Sequence, residues 1–423
     1  MLQINYIREN SKEVIERLAV KNFNATEIVD QILTLDTERR TIQKKLDDTL
    51  AESNKASKEI GGLFKQGKIE EANAMKAKTA ELKKASKELN DKLDSIVSEL
   101  NELLIQLPNL PHPSVPRGNS DADNEKIYEE GTIPQLSDDA LPHWELAKKY
   151  DIIDFDLGSK VTGAGFPFYK GKGAKLQRAL INFFLDRALD AGYTEFQPPL
   201  MVNEDSGYGT GQLPDKEGQM YHVTVDNLYL IPTAEVPITN VYRNVILKHD
   251  DLPVMNVAYS QCFRREAGSY GKDVRGLNRL HQFDKVEMVQ IQHPDKSYET
   301  LEQMKEYAAS LVRALELPFR ILRLCGGDLS FTSALTYDFE VYSGAQKKWL
   351  EVSSVSNFEN FQANRMKLRF KDENGKTKLA HTLNGSALAL PRIVAALLEN
   401  NQTPAGIKIP EALVPYTGFE IID

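Results

Sequence analysis

The chain is poor in the residues that would staple or anchor it. Of 423 residues only Cys262 and Cys325 are cysteine, with no paired spacing. Neither a disulfide framework nor a Cys-based zinc site is indicated, no zinc is expected, and a reducing cytoplasm fits best. No apolar run approaches the roughly 18 residues of a membrane span, so no membrane partner is expected. Met1 to Asn10 lacks the apolar core of a signal peptide and already carries Arg8 and Glu9. The G-x-G-x-x-G pattern and regular βαβ spacing are also missing, which argues against a Rossmann fold.

What is present is an ordinary globular balance, 27% charged and 41% hydrophobic, long enough for two or so domains. The net charge of −9 argues against a nucleic-acid partner, and no DNA partner is expected, but distribution matters more than the total. From Lys55 to Lys92 there are ten Lys against six Asp or Glu. The flanks, Glu27 to Asn54 and Leu93 to Gln106, hold four basic and ten acidic residues. The basic excess is thus confined to one segment.

That segment sits within a heptad pattern. Ile32, Leu35, Arg39, Ile42, Leu46, Thr49, Ser53, Ala56, Ile60 and Leu63 recur three and four apart. Leu82, Ser86, Leu89, Leu93, Ile96, Leu100, Leu103 and Leu107 form a second seam. The spacing predicts a coiled-coil hairpin over about 27–107, broken around Gly61, Gly62 and Gly67. Arg39, Thr49 and Ser53 read as register or flexibility devices. Asn10 with Glu13 predicts a capping-box start for a helix to about Val20. The Pro-rich run from Leu107 to Pro113 ends the second helix. The arm alone suits a solvated dimerisation or protein-binding coil; its basic far half suits RNA phosphates, which need little beyond Lys and Arg.

The densest chemistry lies between Phe263 and Glu287. Phe263-Arg264-Arg265-Glu266-Ala267-Gly268 is followed by Arg275-Gly276-Leu277-Asn278-Arg279-Leu280-His281-Gln282-Phe283-Asp284-Lys285-Val286-Glu287. Tyr259 to Phe263 and Gln282 to Gln290 alternate as strands. Arginine forks suit phosphate oxygens, a flat aromatic suits a purine, and a carboxylate suits an amine or hydroxyl. A single arginine here would be a surface ion pair; four with Glu and Phe make a site.

This stretch resembles motif 2 of class II aminoacyl-tRNA synthetases, and R-G-L-N-R-L-H-Q-F-D-K-V-E resembles the seryl-tRNA synthetase branch of bacterial type. The resemblance extends over essentially the whole chain. It implies an α+β fold: a six-stranded antiparallel sheet with one further parallel strand, flanked by helices, plus the N-terminal arm. The domains expected are 1–110 for tRNA binding, a linker over 111–150, and a catalytic domain over 151–423. Ala174 to Gly192, then Tyr193 to Val202 with Pro198-Pro199 confining it to a sheet edge, resembles motif 1 and implies a homodimer.

The resemblance also implies roles. Arg264 and Arg392 are the expected catalytic residues, on the α- and γ-phosphates of ATP. The nucleotide set is Arg264, Arg265, Glu266, Arg275, Leu280, His281, Gln282, Phe283, Glu351, Val352, Ser353, Ser354 and Arg392. Within it Glu266 meets the adenine amino group, Phe283 stacks on adenine, and Arg275 meets the γ-phosphate or the tRNA end. Leu230 to Pro237 resembles the family's T-x-E loop. Thr233, Ala234, Glu235, Glu287, Asn384 and Ser386 form the expected L-serine set. Glu351 and Ser354 match Mg²⁺ ligands, since that ion favours a carboxylate with substrate phosphate oxygens and water. Lys55, Lys58, Lys65, Lys68, Lys76, Lys78, Lys83 and Lys84 are candidates to contact tRNA(Ser), by shape more than sequence. The selenocysteine tRNA stays open as a second acceptor. Three positions depart from the family pattern: Val355 replaces a usual Cys, and Ala387 and Pro391 replace usual glycines. Rival readings are a carrier-protein ligase, which would lack the arm, and a non-enzymatic binding module, which would lack the arginines and magnesium ligands.

Overall fold

The computed structural model describes residues 1–267 and 274–423; Gly268 of the Gly-rich loop lies outside the described residues. Contacts divide the chain into two units, Met1–Ala19 with Phe23–Pro108, and Val20–Asn22 with Asn109–Asp423.

The N-terminal unit is helical. Helix α1 (Ile4–Glu9) and helix α2 (Ser11–Val20) meet at Asn10. The Asn10 side chain donates back to Tyr6 O at 3.2 Å rather than opening α2 as a capping box, so Asn10 is a joint between two helices. Helices α3 (Thr26–Lys65) and α4 (Ile69–Leu104) form the hairpin. Ile42, Leu46, Leu93 and Ile96 are its buried seam. Gly61 and Gly62 lie inside α3; the turn is at 66–68, where Gly67 has φ of +73°. A left-handed residue is what a reversal needs, and only Gly67 supplies it without a Cβ penalty. Arg39 points along its own helix to Asp36, with Nη2 to Oδ1 at 2.8 Å. Burial pushes the Asp36 carboxyl up, but hydrogen bonds and charge from Arg39 and Arg8 outweigh it and hold the group below its ordinary value.

The second unit is built on an eight-stranded sheet. In chain order its strands are β1 (Glu125–Glu130), β2 (Thr194–Phe196), β3 (Val254–Phe263), β4 (Gln282–Gln292), β5 (Phe319–Arg323), β6 (Leu335–Ser343), β7 (Lys348–Asn357) and β8 (His381–Ala389). The spatial order is β1-β5-β6-β7-β8-β4-β3-β2. Every neighbouring pair is antiparallel except β2 with β3. The sheet is therefore one strand larger than the resemblance implied. The addition is β1, from 111–150, which was expected as linker; the same stretch holds helix α5 (His143–Lys149). Its sequence, Glu-Lys-Ile-Tyr-Glu-Glu, is polar because an edge strand need bury little.

Helices α6 (Gly171–Asp190), α7 (Glu235–Asn240), α8 (Ser297–Ala314), α9 (Phe361–Met366) and α10 (Leu390–Asn400) complete the frame. Phe183, Phe184, Phe319 and Phe339 are fully buried in one core shared by α6, α8, α10 and the sheet. After α6 the chain turns at Gly192 (φ +90°) into β2, and Pro198-Pro199 ends that strand, so the expected single strand to Val202 is two short ones, Thr194–Phe196 and Met201–Asn203. Among the described residues no helix is long and apolar enough to cross a membrane.

Candidate active site

The middle of the sheet carries the site. In the β3–β4 pair Cys262 faces Phe283 and Ala258 faces Glu287. On its other edge β4 pairs with β8, setting Glu287 opposite Ser386 and Val289 opposite Asn384. An irregularity between Lys285 and Glu287 breaks the strict alternation there. Strand register thus gathers residues a hundred positions apart.

One half is a buried polar pocket. Glu235, in the first turn of α7, accepts from Gln362 Nε2 at 2.7 Å and from Asn384 Nδ2 at 2.8 Å. Thr233 Oγ1 accepts the Glu235 amide at 3.2 Å, and Ala234 is fully buried beside it. Glu287 is 1% exposed and meets Lys285 Nζ at 2.7 Å and Ser386 Oγ at 3.2 Å. Burial, then the charge of Glu287, pushes the Glu235 carboxyl up to about 7 against the hydrogen bonds that favour its anion. Asn384 Oδ1 is buried with no hydrogen-bond partner among the described residues. A buried unpaired acceptor costs about 1–3 kcal/mol, so it marks where a donor is missing. Lys285 lies inside the Arg-bearing stretch, where the sequence left it without a role, and Gln362 had no sequence signal beyond helix phase; Gln362 is held in turn by Thr382 Oγ1 at 2.7 Å.

The other half is cationic. Arg264 leaves the end of β3, with its amide bonded to His281 O at 2.9 Å. Its guanidinium lies 5.2 Å from the Phe283 ring centroid, and Nε donates to Pro232 O at 3.4 Å. Arg265 bonds Gln219 O through its amide at 2.8 Å. Glu266 is paired with Arg279, a partner the sequence left unassigned. His281 turns inward to Arg264 O (3.0 Å) and stacks on Phe166, while Leu280 is buried and Gln282 opens β4. The Arg275 guanidinium lies 6.0 Å from the Trp144 ring centroid.

Arg392, in the first helical turn behind Pro391, donates to Asn278 O at 3.0 Å and to Glu351 O at 2.9 Å. Proline suits that turn, where its missing N–H has no helical partner, and Ala387 is accommodated fully buried in β8. Arg279, Arg392, Lys348, Trp349 and Glu351 line a cleft of about 250 Å³. The Glu351 carboxylate is half exposed, 3.6 Å from Arg392 Nη1. Val352 is buried and Ser353 Oγ donates to Ser386 O at 2.6 Å, and neither lines that cleft.

Ser354 stands opposite Asp338 across β6–β7 and hydrogen-bonds its carboxyl. Burial and the nearby charge of Glu351 push Asp338 well up, and its Oδ1 has no partner among the described residues. Asp338 was missed in the sequence because nothing local separates it from any strand carboxylate. The donor set is hard oxygen, and one carboxylate oxygen is orphaned, so the residues fit Mg²⁺. Among the described residues no group of three or more His, Cys, Asp or Glu is arranged to hold a metal, so such an ion would take most ligands from substrate and water.

Comparison with known proteins agrees with this architecture. Residues 221–401 match the tRNA synthetase class II core domain (G, H, P, S and T), and residues 1–111 match the seryl-tRNA synthetase N-terminal domain. The chain is 53% identical to a serine–tRNA ligase of Salinibacter ruber, over 99% of this chain and 98% of that one. It is 48% identical to a serine–tRNA ligase of Chlorobium luteolum, over 100% and 99%. The crystal structure of a seryl-tRNA synthetase from Pyrococcus horikoshii complexed with ATP superposes with a TM-score of 0.92 at 36% identity, covering 100% of this chain and 99% of that one. The chain belongs to the seryl-tRNA synthetase family.

Proposed function

We propose that the chain activates L-serine with ATP to seryl-adenylate, releasing pyrophosphate, and transfers serine to the 3′ end of tRNA(Ser). The observation that carries the reading is the buried Glu235–Asn384–Glu287–Ser386 cluster joined to the Arg264–Phe283 pair through β4, which carries both Glu287 and Phe283. Two carboxylates suit an ammonium group, and the orphaned Asn384 Oδ1 supplies an acceptor for a donor on the substrate. The cluster is polar throughout, so a substrate hydroxyl finds partners that alanine would leave unpaired; discrimination on the order of 10⁴ is expected. Threonine is excluded by its extra methyl.

In the activation step Arg264 holds the α-phosphate and stabilises charge as the serine carboxylate attacks phosphorus. Phe283 offers a face to adenine and Glu266 an acceptor to its amine, which it shares with Arg279. Arg392 and Arg275 take the outer phosphates. Glu351 and Ser354, with Asp338 behind them, would hold Mg²⁺, which supplies charge neutralisation for the phosphates. No side chain forms a covalent bond; alignment and fixed charge do the work. The N-terminal lysines take the tRNA. Homodimerisation is part of the reading, supported by exposed Leu189, Leu200 and Met201 on and after α6.

The test is amino-acid-dependent ATP–pyrophosphate exchange with Mg²⁺ and all twenty amino acids, without tRNA. Exchange with serine alone is expected; exchange with a different amino acid, or none from folded protein, overturns the reading.

A pH dependence follows from Glu235. The serine ammonium needs the carboxylate, and a proton competes for it as pH falls through about 7. KM for serine in the exchange assay should rise below that point, towards about tenfold per pH unit. For the substrate-free protein the sign reverses. A raised carboxyl stabilises the fold while protonated and loses that contribution as pH rises through about 7. Glu235→Gln should give a high KM that no longer varies across this range; a wild-type profile flat from pH 6 to 8 would remove Glu235 from the ammonium.

A further inference from the structure

One buried titratable pair has no part in the chemistry above. His143 and Glu399 are both fully buried, on α5 and α10, with Nδ1 to Oε1 at 2.8 Å. The same Oε1 accepts the His143 amide at 3.0 Å. His143 Nε2 accepts the Leu277 amide at 2.8 Å, so this ring nitrogen carries no proton and Nδ1–H is the donor to Glu399. Ser343 Oγ and the Ala345 and Gln346 amides donate to the other carboxylate oxygen. Burial raises the Glu399 carboxyl, but its donors outweigh burial and hold it below its ordinary value. Gln346 Nε2 donates to Glu399 Oε1 at 2.9 Å, and Gln346 Oε1 accepts Asn278 Nδ2 at 2.9 Å. Asn278 O in turn accepts from Arg392 Nε.

Every thread ends on Gly276, Leu277 and Asn278, the returning arm of the Arg-bearing loop. The approach is close: a Cβ on Gly276, whose φ is +59°, would sit 2.2 Å from His143 Nε2. The next residue, Trp144, meets Arg275. We infer that the buried His143–Glu399 pair, with Gln346, is a positioning device for the nucleotide: it pins the Gly276–Asn278 arm and through Asn278 O sets Arg392. This rests on the reading that Arg264 and Arg392 bind ATP. A buried carboxylate with a full set of donors is rigid, and a fixed anchor is what preorganised phosphate ligands require.

The experiment is serine-dependent pyrophosphate exchange on the full-length protein, with KM measured separately for ATP and serine. His143→Phe keeps a buried ring and removes both hydrogen bonds. It should raise KM for ATP about tenfold and leave KM for serine within twofold. His143→Gln can still offer an acceptor to the Leu277 amide and should recover part of the loss. Gln346→Ala, on a half-buried turn, should move KM for ATP in the same direction by roughly threefold and serves if His143→Phe does not fold. Unchanged KM for ATP in the folded variants, with only a lower Tm, overturns the inference. Arg264→Ala reports separately on the underlying reading: if that variant keeps exchange, the nucleotide site itself is misassigned.

Discussion

Arg264→Ala should lower the turnover of serine-dependent pyrophosphate exchange by about 10³-fold or more while the protein stays folded. The size follows from where the charge develops. Negative charge builds on the oxygens of the α-phosphate as the serine carboxylate attacks, and a fixed guanidinium beside them is worth most at that moment. The surroundings of the side chain support this proposal. Its backbone is held by His281 O, its plane by Phe283, and among the described residues its guanidinium makes one long hydrogen bond, 3.4 Å to Pro232 O. A substrate oxygen can take over its N–H groups without breaking a strong ion pair. Arg264→Lys keeps the charge and loses the fork, so it should recover only a small part of the rate. A structural role predicts the opposite balance, because an exposed or half-exposed ion pair is worth about 0–1 kcal/mol and its loss would shift Tm more than turnover. Turnover within threefold of wild type in Arg264→Ala would end the assignment.

How far the sequence could be read depended on the range of the interaction. The strands around the Arg-bearing loop were legible because alternation is local: expected starts and ends at Phe263 and Gln282 hold, with β3 beginning earlier, at Val254. The hairpin was legible because its first seam repeats over ten positions from Ile32 to Leu63. Its turn was placed too broadly, since glycines inside a long helix and glycine at a reversal look alike until φ is known; Gly61 and Gly62 are helical and Gly67 is not. Strand β1 escaped notice because an edge strand with few buried side chains has no hydrophobic signature. The site divided along the same line. Glu235, Glu287 and Asn384 sit in motifs. Gln362, Asp338, His143 and Glu399 acquire meaning only from register and packing, which place them against partners distant in sequence. Chemistry held by a motif can be read in one dimension; the residues that hold the motif in place cannot.

Charge reversal at Lys76, Lys83 and Lys84 should separate the two half-reactions. All three are exposed, on α4, and none makes an ion pair within 4.0 Å among the described residues. Lys78 and Lys68 are poorer choices, since they already meet Glu52 at 2.7 Å and Glu71 at 3.2 Å. An RNA backbone is bound by lysine ammonium groups that displace counterions, and each contact steepens the salt dependence of log K by about 0.7–0.9. The triple Lys→Glu variant should therefore lose on the order of 10²-fold in kcat/KM for aminoacylation of tRNA(Ser), with a shallower salt dependence. Pyrophosphate exchange needs only ATP, serine and the sheet, and should be unchanged. Lys44 and Lys45, on the half of α3 where acidic residues dominate, give the control: reversing them should cost much less. A general disturbance of the coiled coil would weaken both variants alike and lower helix content, which circular dichroism reports. If the triple variant aminoacylates as well as wild type, the lysines merely face water, and the basic segment is a solvated surface. If instead exchange falls together with aminoacylation, the arm acts on the catalytic unit and its role as a tRNA contact would have to be argued afresh. The expected split, exchange intact and transfer impaired, requires the basic half of the hairpin to meet the acceptor RNA and the sheet to meet the small substrates.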